Sequence, residues 1–191
     1  MSVDPQTLLS ARLPHLYAVV DGARDPAALE WLRSAGVPYQ CLYAGKKAVE
    51  LADEAPYLAH LGGDRGPLGE LCTHYGEEPT GIFLTSDRTF YEVRRQLRRF
   101  LLVEGPDGAT MYFRYYDPRI AAVFLPTLDR DQIAIMYGTV VASYVYRAAA
   151  PSSDLAATTD EAETMRSPRL VEAVVDPSGD APRVVVHSLS T

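Results

Sequence analysis

Short, unbroken apolar runs alternate along this chain with stretches of helical spacing. Leu16-Tyr17-Ala18-Val19-Val20 and Gly81-Ile82-Phe83-Leu84-Thr85 are too short for core helices and predict strands covered on both faces. Residues 39–43 predict another strand and 140–146 a last one within the body of the chain. Asp25-Pro26 couples an N-cap type to proline at the first helical position, opening a helix through Trp31 and Leu32 that closes at Gly36. Residues 67–75 have helical spacing at Leu68, Leu71 and Cys72, with Gly76 as the stop. Ser86 or Asp87 is positioned to cap a helix whose inner face is Phe90, Val93, Leu97, Phe100 and Leu101. Residues 53–61 read as a loop holding a short apolar segment, Ala55-Pro56-Tyr57-Leu58. Two extended runs within 103–115 flank Gly105-Pro106-Asp107-Gly108, which is hairpin turn chemistry. Asp117-Pro118 starts a helix to 128, and 129–136 is a further short helix. Strands separated by helical segments predict an α/β fold, a mixed sheet flanked by helices.

The pattern changes at Ala148. Residues 148–168 are rich in Ala, Ser, Thr and Pro with few large apolar side chains, the composition of a flexible linker. Beyond it, residues 170–175 and 183–187 are β-type runs around Asp176-Pro177-Ser178-Gly179-Asp180, a C-terminal hairpin. A lone two-stranded hairpin is marginal in water, so it is expected to dock on the body or on a partner. The organisation read from the sequence is therefore a domain at 13–147, a linker at 148–168 and a hairpin-like extension at 169–191.

Charge narrows the function classes. The net charge of −7 argues against a general nucleic-acid binder, which needs a basic face to release counterions. No apolar run reaches the roughly 18 residues of a membrane span. Residues 1–12 lack the basic-then-apolar order of a signal peptide, and two cysteines make no disulfide framework. A reduced, cytoplasmic setting is the expectation.

Candidate chemistry is sparse. Cys72 and His74, with His60 and Cys41, match no compact zinc spacing, and Cys72 falls on the apolar face of its helix; no metal or cofactor is expected. Gly62-Gly63-Asp64-Arg65-Gly66 lacks the Lys-Ser/Thr of a phosphate loop. Asp21 ends the first strand, where open α/β sheets bind ligands, though Asp21-Gly22 reads more readily as a turn. The densest recognition chemistry is Phe113-Arg114-Tyr115-Tyr116-Asp117-Pro118-Arg119: arginines and aromatics at a switch into a helix, favouring recognition over plain structure. Arg94, Arg95, Arg98 and Arg99 share a helix side opposite Val93, Leu97 and Phe100, as either a solvated face or a docking surface.

Three blocks in order resemble the type VI secretion effector-adaptor family, the Tap- or Tec-type chaperones. They are Leu16-Tyr17-Ala18-Val19-Val20-Asp21-Gly22-Ala23-Arg24, Ala55-Pro56-Tyr57-Leu58, and Phe113 to Arg119 followed by Leu125. The stretch 97–108, with Leu101-Leu102-Val103 before its glycine turn, fits the same pattern, and the resemblance spans 13–146. It implies a non-enzymatic adaptor that binds a toxic effector and loads it onto the VgrG spike. No catalytic residue is implied. Partner-binding candidates are Arg114, Tyr115, Tyr116, Asp117, Arg119, Arg94, Arg95, Arg98 and Arg99. The alternatives are a small enzyme holding an anionic ligand near Asp21 and Arg114, and a homo-oligomeric scaffold, such as a homodimer, exchanging its hairpin.

Overall fold

A computed structural model describes residues 5–75, 81–137, 143–148, 169–174 and 183–188. Its centre is β1 (Leu16–Asp21), every residue of which is buried. β1 pairs antiparallel with β3 (Pro56–His60) on one side and β4 (Gly81–Thr85) on the other. β2 (Tyr39–Cys41) borders β3, and β7 (Ser143–Ala148), β8 (Arg169–Val174) and β9 (Arg183–Ser188) extend the sheet beyond β4. The strand order is β2-β3-β1-β4-β7-β8-β9. The α/β sheet flanked by helices stands as expected, and every pair among the described strands is antiparallel, with no parallel component. The C-terminal hairpin pairs β8 with β9 and docks through β8 on β7.

Period-two alternation divides β1 between two cores. Tyr17 and Val19 pack with Val93 and Leu97 of α5 (Phe90–Arg98), Ala121 of α6 (Pro118–Phe124), and Ile133 and Met136 of α7 (Arg130–Met136). Leu16, Ala18 and Val20 pack with Leu9 of α1 (Pro5–Ser10), Leu29 and Leu32 of α2 (Pro26–Ser34), and Leu68 and Leu71 of α4 (Arg65–Tyr75). Helices on both faces explain why β1 reads as an unbroken apolar run. Each fully buried Val or Leu contributes about 1.5–3 kcal/mol of transfer free energy.

Several local expectations hold for stated reasons. Asp25 accepts from the Ala28 N–H at 2.8 Å and caps α2. Asp129 caps α7 in a capping box with Gln132. β5 (Leu102–Glu104) and β6 (Thr110–Tyr112) form a separate hairpin. Others need correction. Residues 53–61 are not merely a loop: Pro56–His60 is an inner strand, its proline at the first position where a missing donor does least harm. α5 is capped by Thr89, in a capping box with Glu92, and not by Ser86 or Asp87. The helix from Pro118 stops at Phe124 and tightens into a 3-10 turn at Leu125–Thr127. Helices α1 and α3 (Lys46–Glu50) had no sequence signal. The stop at Gly76, residues 140–142 of the last body strand, linker residues 149–168 and the hairpin turn at 176–180 lie outside the described residues.

Candidate functional site

The first and third sequence blocks meet at an ion-pair network (Asp21, Arg24, Arg114, Asp117, Arg119). Asp21 closes β1 on the Tyr17 and Val19 side and is wholly buried. Its backbone carbonyl accepts from the N–H groups of Arg24 and Asp25 at 3.1 and 2.9 Å, so Asp21 makes the turn into α2. Its Oδ2 accepts from Nη2 of Arg114, whose side chain is 37% exposed, while Oδ1 has no hydrogen-bond partner. Burial pushes the Asp21 carboxyl above its ordinary range, against the lowering pull of Arg114.

One turn later Asp117 repeats the arrangement. It is 1% exposed and caps α6 by accepting from the Arg119 N–H at 3.0 Å. Arg119 returns to grip both carboxylate oxygens, Nε to Oδ1 at 3.0 Å and Nη2 to Oδ2 at 2.5 Å. Arg24, from the first block, stands 3.8 Å from Oδ2. Burial pushes this carboxyl up too, but the Arg119 donors, with Arg24, outweigh it and hold it below its ordinary value.

The aromatic members of the third block face inward. Tyr115 is 1% exposed and donates its hydroxyl to the Leu97 carbonyl at 2.9 Å, tying the segment to α5. Tyr116 is 2% exposed, packs edge-on against Tyr115 at 5.5 Å between ring centroids, and has its phenol pKa raised by burial. Tyr115 and Tyr116 therefore correct the expectation of a recognition surface, being packed into the core. Asp117, though 1% exposed, borders a pocket of ≈ 630 Å³ with Phe113 and Arg119. Arg119, 60% exposed, is the most accessible candidate of the block. The Asp21 carboxylate already takes the Arg114 Nη2 donor, so an anionic ligand beside them would compete with it for that guanidinium.

The arginines of α5 also separate. Arg94 turns back onto β2, Nε and Nη2 donating to the Cys41 carbonyl at 2.9 and 2.7 Å and Nη2 reaching the Tyr43 carbonyl at 3.4 Å. It is a structural clamp. Arg95 is exposed over Tyr91, itself 66% exposed, at 5.8 Å from the ring centroid. Arg98 and Arg99 line a cleft of ≈ 320 Å³ between α5, the residues leading into α3, and the β5–β6 hairpin. Three residues of that surface escaped the sequence reading: Lys47 and the hairpin pair Leu102 and Tyr112. The available signal was the pair of three-residue strands itself, too short to bury apolar side chains on either face.

Cys41, His60, Cys72 and His74 do not converge, and no group of three potential metal ligands occurs among the described residues. His60 stacks on Tyr17 at 4.6 Å and its Nε2 lies 2.8 Å from the Pro14 carbonyl. Among the described residues, no helix is long and apolar enough to cross a membrane.

These features define a helix-flanked antiparallel α/β domain knotted by two buried carboxylate–arginine pairs, with a basic, aromatic cleft on its surface. The chain belongs to the family described as a domain of unknown function (DUF4123), whose model matches residues 16–134. No curated protein and no solved structure matches it.

Proposed function

We propose that this chain is a non-enzymatic adaptor of type VI secretion, which holds a toxic effector in the cytoplasm and presents it to the VgrG spike. The observation that carries the reading is the surface shared by α5 and the β5–β6 hairpin. Arg98 and Arg99 line the cleft there, and the hairpin leaves Leu102 (44%) and Tyr112 (47%) in solvent. Arg95 and Tyr91 are also exposed on α5, and Met111 (48%) on the hairpin's other face. Arginines set among exposed tyrosine, methionine and leucine have the composition of protein interfaces. The family match supports the reading because all three blocks resembling effector adaptors fall within residues 16–134.

The expectation set the docking face on both Arg114 to Arg119 and Arg94 to Arg99. We keep the α5 part, because Arg114 and Arg119 are tied to buried carboxylates while Arg98 and Arg99 line an open cleft. The test is co-expression with the neighbouring spike and effector followed by purification on this chain. The effector is expected to co-purify with wild type and to be lost with Arg95→Glu plus Arg99→Glu. A folded chain that purifies without either partner refutes the adaptor reading.

A further inference from the structure

The cleft beside the hairpin carries a positive charge that no ion pair among the described residues neutralises. Lys47, Arg98 and Arg99 line it together with Tyr43, Leu102 and Tyr112, and no carboxylate lines it. Among the described residues no ion pair engages any of the three cations; Arg99 reaches Gln96 Oε1 from Nη1 at 3.4 Å and lies 5.7 Å from the Phe100 ring centroid. Three unneutralised cations side by side are notable in a chain whose net charge is −7.

The walls are held in place. Tyr112 stands between the Tyr43 ring, 5.7 Å away between centroids, and Lys47, whose Nζ lies 4.7 Å from the Tyr112 centroid. Leu102 is the cross-strand partner of Tyr112, so both present one apolar patch. The Arg94 clamp onto the Cys41 and Tyr43 carbonyls fixes the opposite wall to α5. Such a cleft suits a ligand with carboxylates spaced along it and an apolar side chain between them. A free phosphate would leave the Tyr112–Leu102 wall unused, and a long polyanion would meet the repulsion of the whole chain.

We propose that this cleft seats an acidic segment of a partner protein, its carboxylates on Arg98, Arg99 and Lys47 and an apolar or aromatic residue against Tyr112 and Leu102. This rests on reading the chain as a protein-binding adaptor, and names the chemistry that its docking face selects.

The test uses the full chain and a fluorescein-labelled hexapeptide, Glu-Leu-Glu-Tyr-Glu-Leu, followed by anisotropy. The same peptide with lysines for glutamates, inorganic phosphate and oligo-thymidylate serve as competitors. The acidic peptide is expected to bind and to weaken with added salt. Arg98→Gln plus Arg99→Gln is expected to weaken it by about tenfold or more, and Tyr112→Ala by several-fold. Arg130→Gln, an exposed arginine outside the cleft, is expected to leave it unchanged. No binding, equal binding of the lysine peptide, tighter oligo-thymidylate binding, full displacement by phosphate, or indifference to the double arginine variant each overturns the proposal. If the peptide fails while the effector still co-purifies, the cleft assignment falls and the adaptor reading survives. Peptide binding by a chain that captures no effector refutes the adaptor reading alone.

Discussion

Replacing Arg114 with methionine removes a guanidinium while keeping most of the aliphatic stem, and so isolates the Asp21 pairing. Asp21 is wholly buried and its Oδ1 already lacks a partner, so the variant strands an uncompensated carboxylate in the core. Breaking a fully buried pair from one side costs about 3–5 kcal/mol. The Arg114 side chain is 37% exposed, which lets water follow the lost guanidinium, and the penalty is discounted to about 2–3 kcal/mol. Protonation sets a ceiling on that penalty. Holding a carboxyl of ordinary pKa 3.8 in its neutral form costs roughly 4 kcal/mol at pH 7 and roughly 1.6 kcal/mol at pH 5. The penalty is therefore expected to shrink below about 1.6 kcal/mol at pH 5, because neutral Asp21 becomes the cheaper state.

Trp31, the single tryptophan, is 8% exposed and reports global unfolding. Urea titration followed by its fluorescence, at both pH values and with unchanged m-value, measures the difference directly. A loss at pH 7 of less than about 0.5 kcal/mol, the size of an ordinary surface change, would refute the reasoning. So would equal losses at pH 7 and pH 5. The result governs how binding experiments are read: capture of a partner lost in an Arg114 variant reports a weakened fold.

Arg94→Gln removes the fork onto the Cys41 and Tyr43 carbonyls and should cost about 1.5–3 kcal/mol in the same titration; no change would show that water replaces the clamp without loss. Gly22→Ala places a Cβ 2.8 Å from both the Asp53 carbonyl and Leu29 Cδ2, so soluble yield and thermal midpoint should both fall, the latter by several degrees; a wild-type midpoint would mean that the β1 turn gives way freely. Asp117 has a folded pKa below its ordinary 3.8, so its contribution is present above that value and lost as pH falls through the depressed pKa. The thermal midpoints of wild type and Asp117→Asn should therefore converge as pH is lowered from about 7 to about 3, and a constant gap would sink that assignment.

The parts of the fold legible in the sequence were those decided by local rules. β1 and β4 announce themselves as apolar runs because helices cover both of their faces. The caps Asp25, Asp117 and Asp129 are readable because an N-cap satisfies donors only two or three residues away. Pairing is not a local property. Nothing within residues 55–60 says that they lie beside β1, and Pro56 argues for a turn until the strand is seen to begin on it. α3 has no buried residue, so no apolar period marks it.

The third block shows why sequence reasoning found its residues unusual yet read buried tyrosines as surface. Arginine with tyrosine enriches interfaces because a planar cation and an amphipathic ring tolerate desolvation. A buried ion-pair network makes the same demand of its members, and composition alone cannot separate the two. What separates them is the neighbour 93 positions away: Asp21 takes Arg114 inward, and Leu97 takes the Tyr115 hydroxyl. The four arginines of α5 and its C-cap sort by the same logic, since Arg94 finds carbonyls on β2 and in the chain just after it, while Arg98 and Arg99 line a cleft without an ion pair among the described residues. An arginine becomes available to a partner where the fold leaves it unneutralised. By that criterion Arg98 and Arg99, at the end of α5, stay open to a partner, while Arg114 and Arg119 are committed to Asp21 and Asp117.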